Sequence, residues 1–197
     1  MTLWNVIMIK KLIMGNIDNI HLWHADRGTY YDRNINIMSW SDQYNIHVGK
    51  YNSIGRDCNF FLHANHRADW VTTSSQLLGL VTPEIADMHI KMGHPTCKGD
   101  IIIENDVWIG AKSTVMSGIK ISNGSIVAAG STVTKDVPPY SIVAGNPSRV
   151  VKLRFNDDQI NKLLKIAWWN WDEDKIKNEA MDMWSDNIDK FISNHEK

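Results

Sequence analysis

Cysteine is scarce: Cys58 and Cys97 are the two in 197 residues. Two distant thiols cannot build a disulfide framework, so free cysteines in a reducing compartment are the expectation. An excess of one charge is also missing. Basic residues number 21 against 22 acidic ones, for a formal charge of -1. With no compact basic stripe either, nucleic acid is not an expected partner. Long apolar runs are absent as well; the Val6 to Leu12 stretch is short, and its lysines follow rather than lead it. Neither a signal peptide nor a membrane span is expected, and the chain reads as cytoplasmic with no membrane partner. His89, His94 and Cys97 share one stretch but match no compact ligand spacing, so no metal is expected.

What the chain does have is a beat of six. Apolar residues fall at Ile103, Ile109, Val115, Ile121, Val127 and Val133. That period fits neither a helix nor one strand's alternation, and it points to short strands stacked as coils of a parallel β-helix. Three intervals make one triangular coil, so equivalent side chains recur every 18 residues at a rise of about 4.8 Å. Ala111, Ser113, Thr114, Ser131 and Thr132 fill corners where bulky side chains would collide. A β-sandwich also uses many short strands, but it gives no reason for five unbroken intervals of six.

The beat divides the chain. Residues 1–45, rich in Asn and Ile with Trp4, Trp23, Tyr30, Tyr31 and Trp40, read as an N-terminal cap and lead-in, either irregular first coils or a strand-rich cover. Residues 46–151 carry the repeat, which starts at Val48, Ile54 and Phe60. It breaks into a non-repetitive loop over 67–99, punctuated by Pro83, Gly93 and Pro95. A repeat fold expels an insertion from its stack, often at the binding face, so functional polar groups are expected there. Residues 152–197 read as a helical appendage. Asn156 and Gln159 have capping-box spacing, and Ile160, Leu163, Leu164 and Ala167 follow at helical intervals. A second helix from Asp172 would bury Ile176, Ala180, Met183, Trp184, Ile188 and Phe191 on one side. Trp168, Trp169 and Trp171 read as packing at the joint.

Four segments together resemble a known family: Asn65-His66-Arg67-Ala68-Asp69-Trp70, Asp106-Val-Trp-Ile-Gly110, Ala129-Gly-Ser-Thr-Val-Thr-Lys135-Asp-Val-Pro-Pro139 and Val143-Ala-Gly-Asn-Pro-Ser-Arg149. They are similar to the xenobiotic acetyltransferase branch of the hexapeptide-repeat acyltransferases, over about residues 46–155. That branch holds chloramphenicol and streptogramin acetyltransferases beside sugar O-acetyltransferases. The resemblance implies a left-handed parallel β-helix, acetyl-CoA as cosubstrate, and a homotrimer with active sites between subunits and loop 67–99 enclosing the acceptor.

Acetyl transfer from a thioester to a hydroxyl needs a base for the hydroxyl proton and donors for the developing oxyanion. Histidine suits the first task because its pKa lies near working pH. The resemblance makes His66 that base, with Nδ1 held by a backbone carbonyl or polar neighbour; His63 is the local rival. It implies acceptor contacts at Asp69 and Trp70, each of which could instead serve as a turn cap or loop anchor. Relatives often continue with an aromatic and proline wall where this chain has Thr73-Ser-Ser-Gln76. On the donor side, Ala111 and Ala129 resemble positions whose main chain faces the pantetheine arm. Thr134, Lys135 and Arg149 resemble residues at the nucleotide end, and Trp108 an indole beside the thioester. Cys58 lies eight residues from His66 with no motif pairing them, which favours direct transfer over an acyl-enzyme. The expected activity is O-acetylation of a small-molecule acceptor, a hydroxyl on a sugar or polysaccharide precursor. An antibiotic hydroxyl, an amino sugar, a zinc-dependent carbonic anhydrase-like site and a silent glycan-pathway scaffold are the alternatives.

Overall fold

The computed structural model describes residues 20–32, 34–74, 77 and 80–196. Trp4 and the Val6 to Leu12 stretch lie outside them, as do Ser75 and Gln76. Fourteen short strands are described: β1 Trp23–Ala25, β2 Tyr30–Tyr31, β3 Asn36–Met38, β4 Ile46–Val48, β5 Ser53–Ile54, β6 Asn59–Phe61, β7 Ile101–Ile103, β8 Trp108–Ile109, β9 Thr114–Met116, β10 Lys120–Ile121, β11 Ile126–Val127, β12 Thr132–Val133, β13 Ser141–Gly145 and β14 Ser148–Leu153.

They stack into three faces. The first is β1-β4-β7-β10, the second β2-β5-β8-β11-β13-β14 and the third β3-β6-β9-β12. Every pairing is parallel except β13 with β14, which closes the second face as an antiparallel hairpin. Ile102 pairs with Lys120, Trp108 with Ile126 and Thr114 with Thr132, which is the 18-residue interval of the beat. Between the first two coils the interval is 23 residues, as Trp23 pairs with Ile46 and Ile37 with Phe60. The stack therefore begins at Trp23, upstream of the point where the beat becomes regular. Extra corner residues hide that first coil from a six-residue count.

Ile46, Ile54, Phe60, Ile101, Ile109, Val115, Ile121, Val127 and Val133 are fully buried in one continuous core. A corner must turn the chain sharply, and the first corner does so in the left-handed backbone region at every level: Gly28, Tyr51, Asp106, Gly124 and Tyr140. Non-glycine residues there carry strain that the stacked rungs on either side sustain. Buried serine and asparagine side chains at the corners bond within the stack. Ser113 and Ser125 donate to the carbonyls of Gly110 and Ser122, three residues back. Asn52, fully buried, donates to the carbonyls of Gly49 and Glu104 and accepts from Val107 N at 2.7 Å, bonding the second coil to the third.

Four α-helices are described: α1 Pro83–Lys91 in the expelled loop, then α2 Asp157–Ile166, α3 Glu173–Met183 and α4 Ile188–His195. Asn156 and Gln159 close a full capping box on α2. Where the sequence pattern predicts one helix from Asp172, two form. Ser185 Oγ bonds the Asp182 carbonyl and Asn187 caps α4, so the chain turns between them. Trp184, expected to be buried, ends α3 at 82% exposure. The helices dock on the first corner, where Trp168 packs on Tyr51 and Arg27 donates to the Trp171 carbonyl. No helix among the described residues is long and apolar enough to cross a membrane.

Coil stacking requires backbones to meet at the second corner. A Cβ on Gly110 would lie 2.5 Å from Ala129 N, and one on Gly55 would lie 2.6 Å from Ala111 N. Both obstacles are backbone atoms within hydrogen-bonded rungs. Gly110→Ala should lower folding stability by about 1–3 kcal/mol, the range for overpacking, in a denaturant titration. A midpoint equal to wild type would mean that the coils separate at this corner at no cost.

Candidate active site

After β6 the chain leaves the stack, and it returns at β7. The departing and returning arms stay joined, because Asn65 and Thr96 form an antiparallel bridge. His66 is the first residue beyond that bridge. Its Nδ1 lies 2.6 Å from the Thr73 carbonyl oxygen. A carbonyl can only accept, so Nδ1 carries the proton and Nε2 presents a lone pair. The His66 side chain sits on the exposed side of the loop.

Aromatic rings fix its orientation. His94 lies 4.9 Å from His66 between ring centroids, and Trp40 meets His66 edge to face at 5.6 Å. Behind them, His89 packs at 4.4 Å from His94 and 5.0 Å from Trp70. Trp40, from beyond the first coil, has no part in the family motif and was legible in the sequence only as one of several scattered aromatics. His94 is 4% exposed, and its Nδ1 has no hydrogen-bond partner. Burial foremost, then the positive potential of His89, His66 and Arg67, pushes its pKa down to about 4. Burial lowers His63 and His89 in the same direction. The ring behind His66 is thus uncharged at neutral pH.

Asp69 is already engaged. Arg67 grips its carboxylate through Nε and Nη2, which holds the Asp69 pKa down at about 2. Arg67 also donates to the Met92 carbonyl and lies over the Trp70 ring. Asp69 and Trp70 therefore share one clamp across the base of the loop.

The remaining predicted site residues lie elsewhere on the prism. Trp108 projects outward from the second face at 55% exposure. Ala111 and Ala129 stack at the second corner, where Gly130 N donates to the Ala111 carbonyl. Thr134 and Lys135 follow β12 at the third corner, the corner from which the loop departs two coils earlier. Arg149 stands on the closing hairpin opposite Ala144. The whole third face separates His66 from Ala111 and Ala129 within one chain. One protomer therefore does not bring the base and the second corner together.

A stacked triangular prism with one long expelled loop is an architecture with known counterparts, and comparisons with known proteins identify them. Residues 100–135 match the bacterial transferase hexapeptide family (six repeats). A probable macrolide acetyltransferase of Lysinibacillus sphaericus is 44% identical over 135 residues, covering 66% of this chain and 71% of that protein. A chloramphenicol acetyltransferase of Klebsiella aerogenes is 39% identical over 143 residues, covering 72% and 67%. Among solved structures, a hexapeptide-repeat acetyltransferase from Vibrio cholerae aligns with a TM-score of 0.52 at 21% identity, over 79% of this chain and 83% of that one, a likeness of fold. The chain belongs to the xenobiotic acetyltransferase branch of the hexapeptide-repeat acyltransferases. Its fold is a left-handed parallel β-helix with C-terminal helices, and it is an acetyltransferase.

The depressed His94 pKa has a consequence for stability. The unfolded chain takes up the histidine proton near pH 6.5, whereas the native site resists it until about pH 4. The stabilisation is complete above pH 6.5 and is lost as pH falls from there toward 4. Replacing His94 with Asn should flatten the fall of Tm across that window; an unchanged slope would show that His94 does not titrate as its burial dictates.

Proposed function

We propose that this enzyme transfers the acetyl group of acetyl-CoA directly to a hydroxyl of a small, ring-containing acceptor, with His66 as general base. The observation that carries the reading is the 2.6 Å contact from His66 Nδ1 to the Thr73 carbonyl, which leaves Nε2 as the free lone pair. The acceptor oxygen attacks the thioester carbonyl carbon as Nε2 takes its proton. The tetrahedral oxyanion collapses and breaks the carbon–sulfur bond, and the imidazolium returns the proton to the departing thiolate. The products are an acetyl ester and free coenzyme A. Thr73 stabilises the imidazolium through the same hydrogen bond, so no carboxylate behind the base is needed.

The acceptor is better matched to the antibiotic alternative than to the sugar precursor expected from sequence. Two relatives bear macrolide and chloramphenicol acetyltransferase names. The expelled loop exposes Val71, Leu80, Ile85, Met88, Ile90 and Met92, an apolar surface suited to a lipophilic ring system. Its Arg67 is committed to Asp69 and not to a sugar-nucleotide diphosphate.

The separation of His66 from the second corner supports a homotrimer in which the loop of one subunit reaches the corner of its neighbour. In that assembly Trp108, Ala111 and Ala129 flank the pantetheine arm, while Thr134, Lys135 and Arg149 meet the nucleotide end. The free thiols of Cys58 and Cys97 fit a cytoplasmic setting.

Thiol release from acetyl-CoA, measured against chloramphenicol, a macrolide and a nucleotide sugar, tests both the base and the acceptor. His66→Ala should lower turnover by about 10²- to 10⁴-fold and leave acetyl-CoA binding intact. Undiminished turnover in the variant would remove His66 as the base. Turnover with the nucleotide sugar alone would restore the sugar reading.

A further inference from the structure

Outside the acetyl-transfer site, the C-terminal helices gather three groups with metal-ligand chemistry. We propose that Glu179, Asp182 and His195 form a site for a borderline divalent transition-metal ion of the zinc type, joining α3 to α4. One ligand atom from each lies within 4.8 Å of the other two. Glu179 and Asp182 are three residues apart on α3, which puts both carboxylates on one helix face. His195 ends α4.

The independent observation is the state of the imidazole. The His195 side chain is 7% exposed, and its Nε2 stops 3.4 Å from a Glu179 carboxylate oxygen. That nitrogen is buried without a hydrogen-bond partner. Its direction is fixed, because Trp171 and Phe191 hold the ring at centroid distances of 4.8 and 4.7 Å. A buried nitrogen that faces the Glu179 carboxylate at 3.4 Å without a hydrogen bond to it, with Asp182 in reach, is placed to share a cation with them.

Asp182 is oriented as an outer shell orients a ligand. Its two oxygens accept from Lys190 Nζ at 2.8 Å and Asn194 Nδ2 at 3.0 Å. The remaining lone pairs are available, as a carboxylate has about four acceptor positions. The Lys190 ammonium competes with a cation for Asp182, so Glu179 and His195 carry more of the binding. One imidazole with two carboxylates matches zinc, with water completing a tetrahedron, whereas calcium takes six to eight oxygens and magnesium keeps its waters. The competing explanation is a plain imidazole–carboxylate pair, which has no use for a metal.

Isothermal titration of chelator-dialysed protein with zinc chloride separates these, with magnesium chloride as the control. The expected result is one zinc per chain with a rise in Tm, no response to magnesium, and binding weakened at least about tenfold in both His195→Ala and Glu179→Gln. Glu179→Gln keeps the proposal testable if His195→Ala does not fold. Absence of stoichiometric zinc in the wild type overturns the site. So does zinc that persists in the variants, which would assign it to the loop histidines or the cysteines.

Discussion

The hydrogen-bonded register between Ile46–Val48 and Ile101–Ile103 is the constraint on which the site depends. These strands are adjacent rungs of one face, yet 55 residues separate paired positions where 16 to 23 suffice elsewhere in the stack. The rungs cannot part without exposing buried isoleucines and unpaired backbone groups. The surplus chain must therefore leave through the corner after β6 and return through the same opening. Asn45 N bonded to Asp100 ties the returning chain to the coil below at that opening, and Asn52, bridging Gly49, Glu104 and Val107, locks the same two coils together at the first corner. His66 stands where the expelled chain begins, on a loop whose two ends are fixed by hydrogen-bonded rungs of the stack.

A rigid root accounts for how a loop would hold the proposed base. Positioning within a fraction of an ångström needs locked neighbours and a fixed tautomer. Here the Asn65–Thr96 bridge locks the arms, the Arg67–Asp69–Trp70 clamp braces the turn, and the Thr73 carbonyl sets the proton on Nδ1. The uncharged rings of His94 and His89 fill the space behind without adding positive charge that would oppose imidazolium formation. The same prism places the second corner, with its close backbone packing and small side chains, across a whole face from His66. The homotrimer proposed above would bridge that separation by supplying the complementary corner from a second subunit.

Sequence and structure correspond most closely where one physical rule acts alone. The 18-residue interval from Ile103 to Val133 was legible because each inward position needs a β-branched or aliphatic side chain and each corner needs a small or turn-forming one. The first coil was not, since a 23-residue interval breaks the count although Ile35 and Ile37 are as buried as their successors. The helical tail was half legible. Capping chemistry marked α2, but the turn at Ser185 to Asn187 depends on local side-chain bonds that apolar spacing does not register. Within the site, the family motif singles out His66, whereas the His94 and Trp40 contacts join segments far apart in the chain. Asp69 shows the converse: the motif places it beside the candidate base, whereas its grip by Arg67 is visible only in the structure.

The central claim is that a single backbone carbonyl sets the protonation geometry of His66. Nitrogen-15 NMR of histidine-labelled protein, with His66→Gln to assign the resonance, measures this directly at neutral pH. The account predicts that the neutral His66 ring carries its proton on Nδ1, with Nε2 showing the shift of an unprotonated nitrogen. A ring protonated mainly on Nε2 would contradict it, because that nitrogen could then accept nothing from the acceptor hydroxyl.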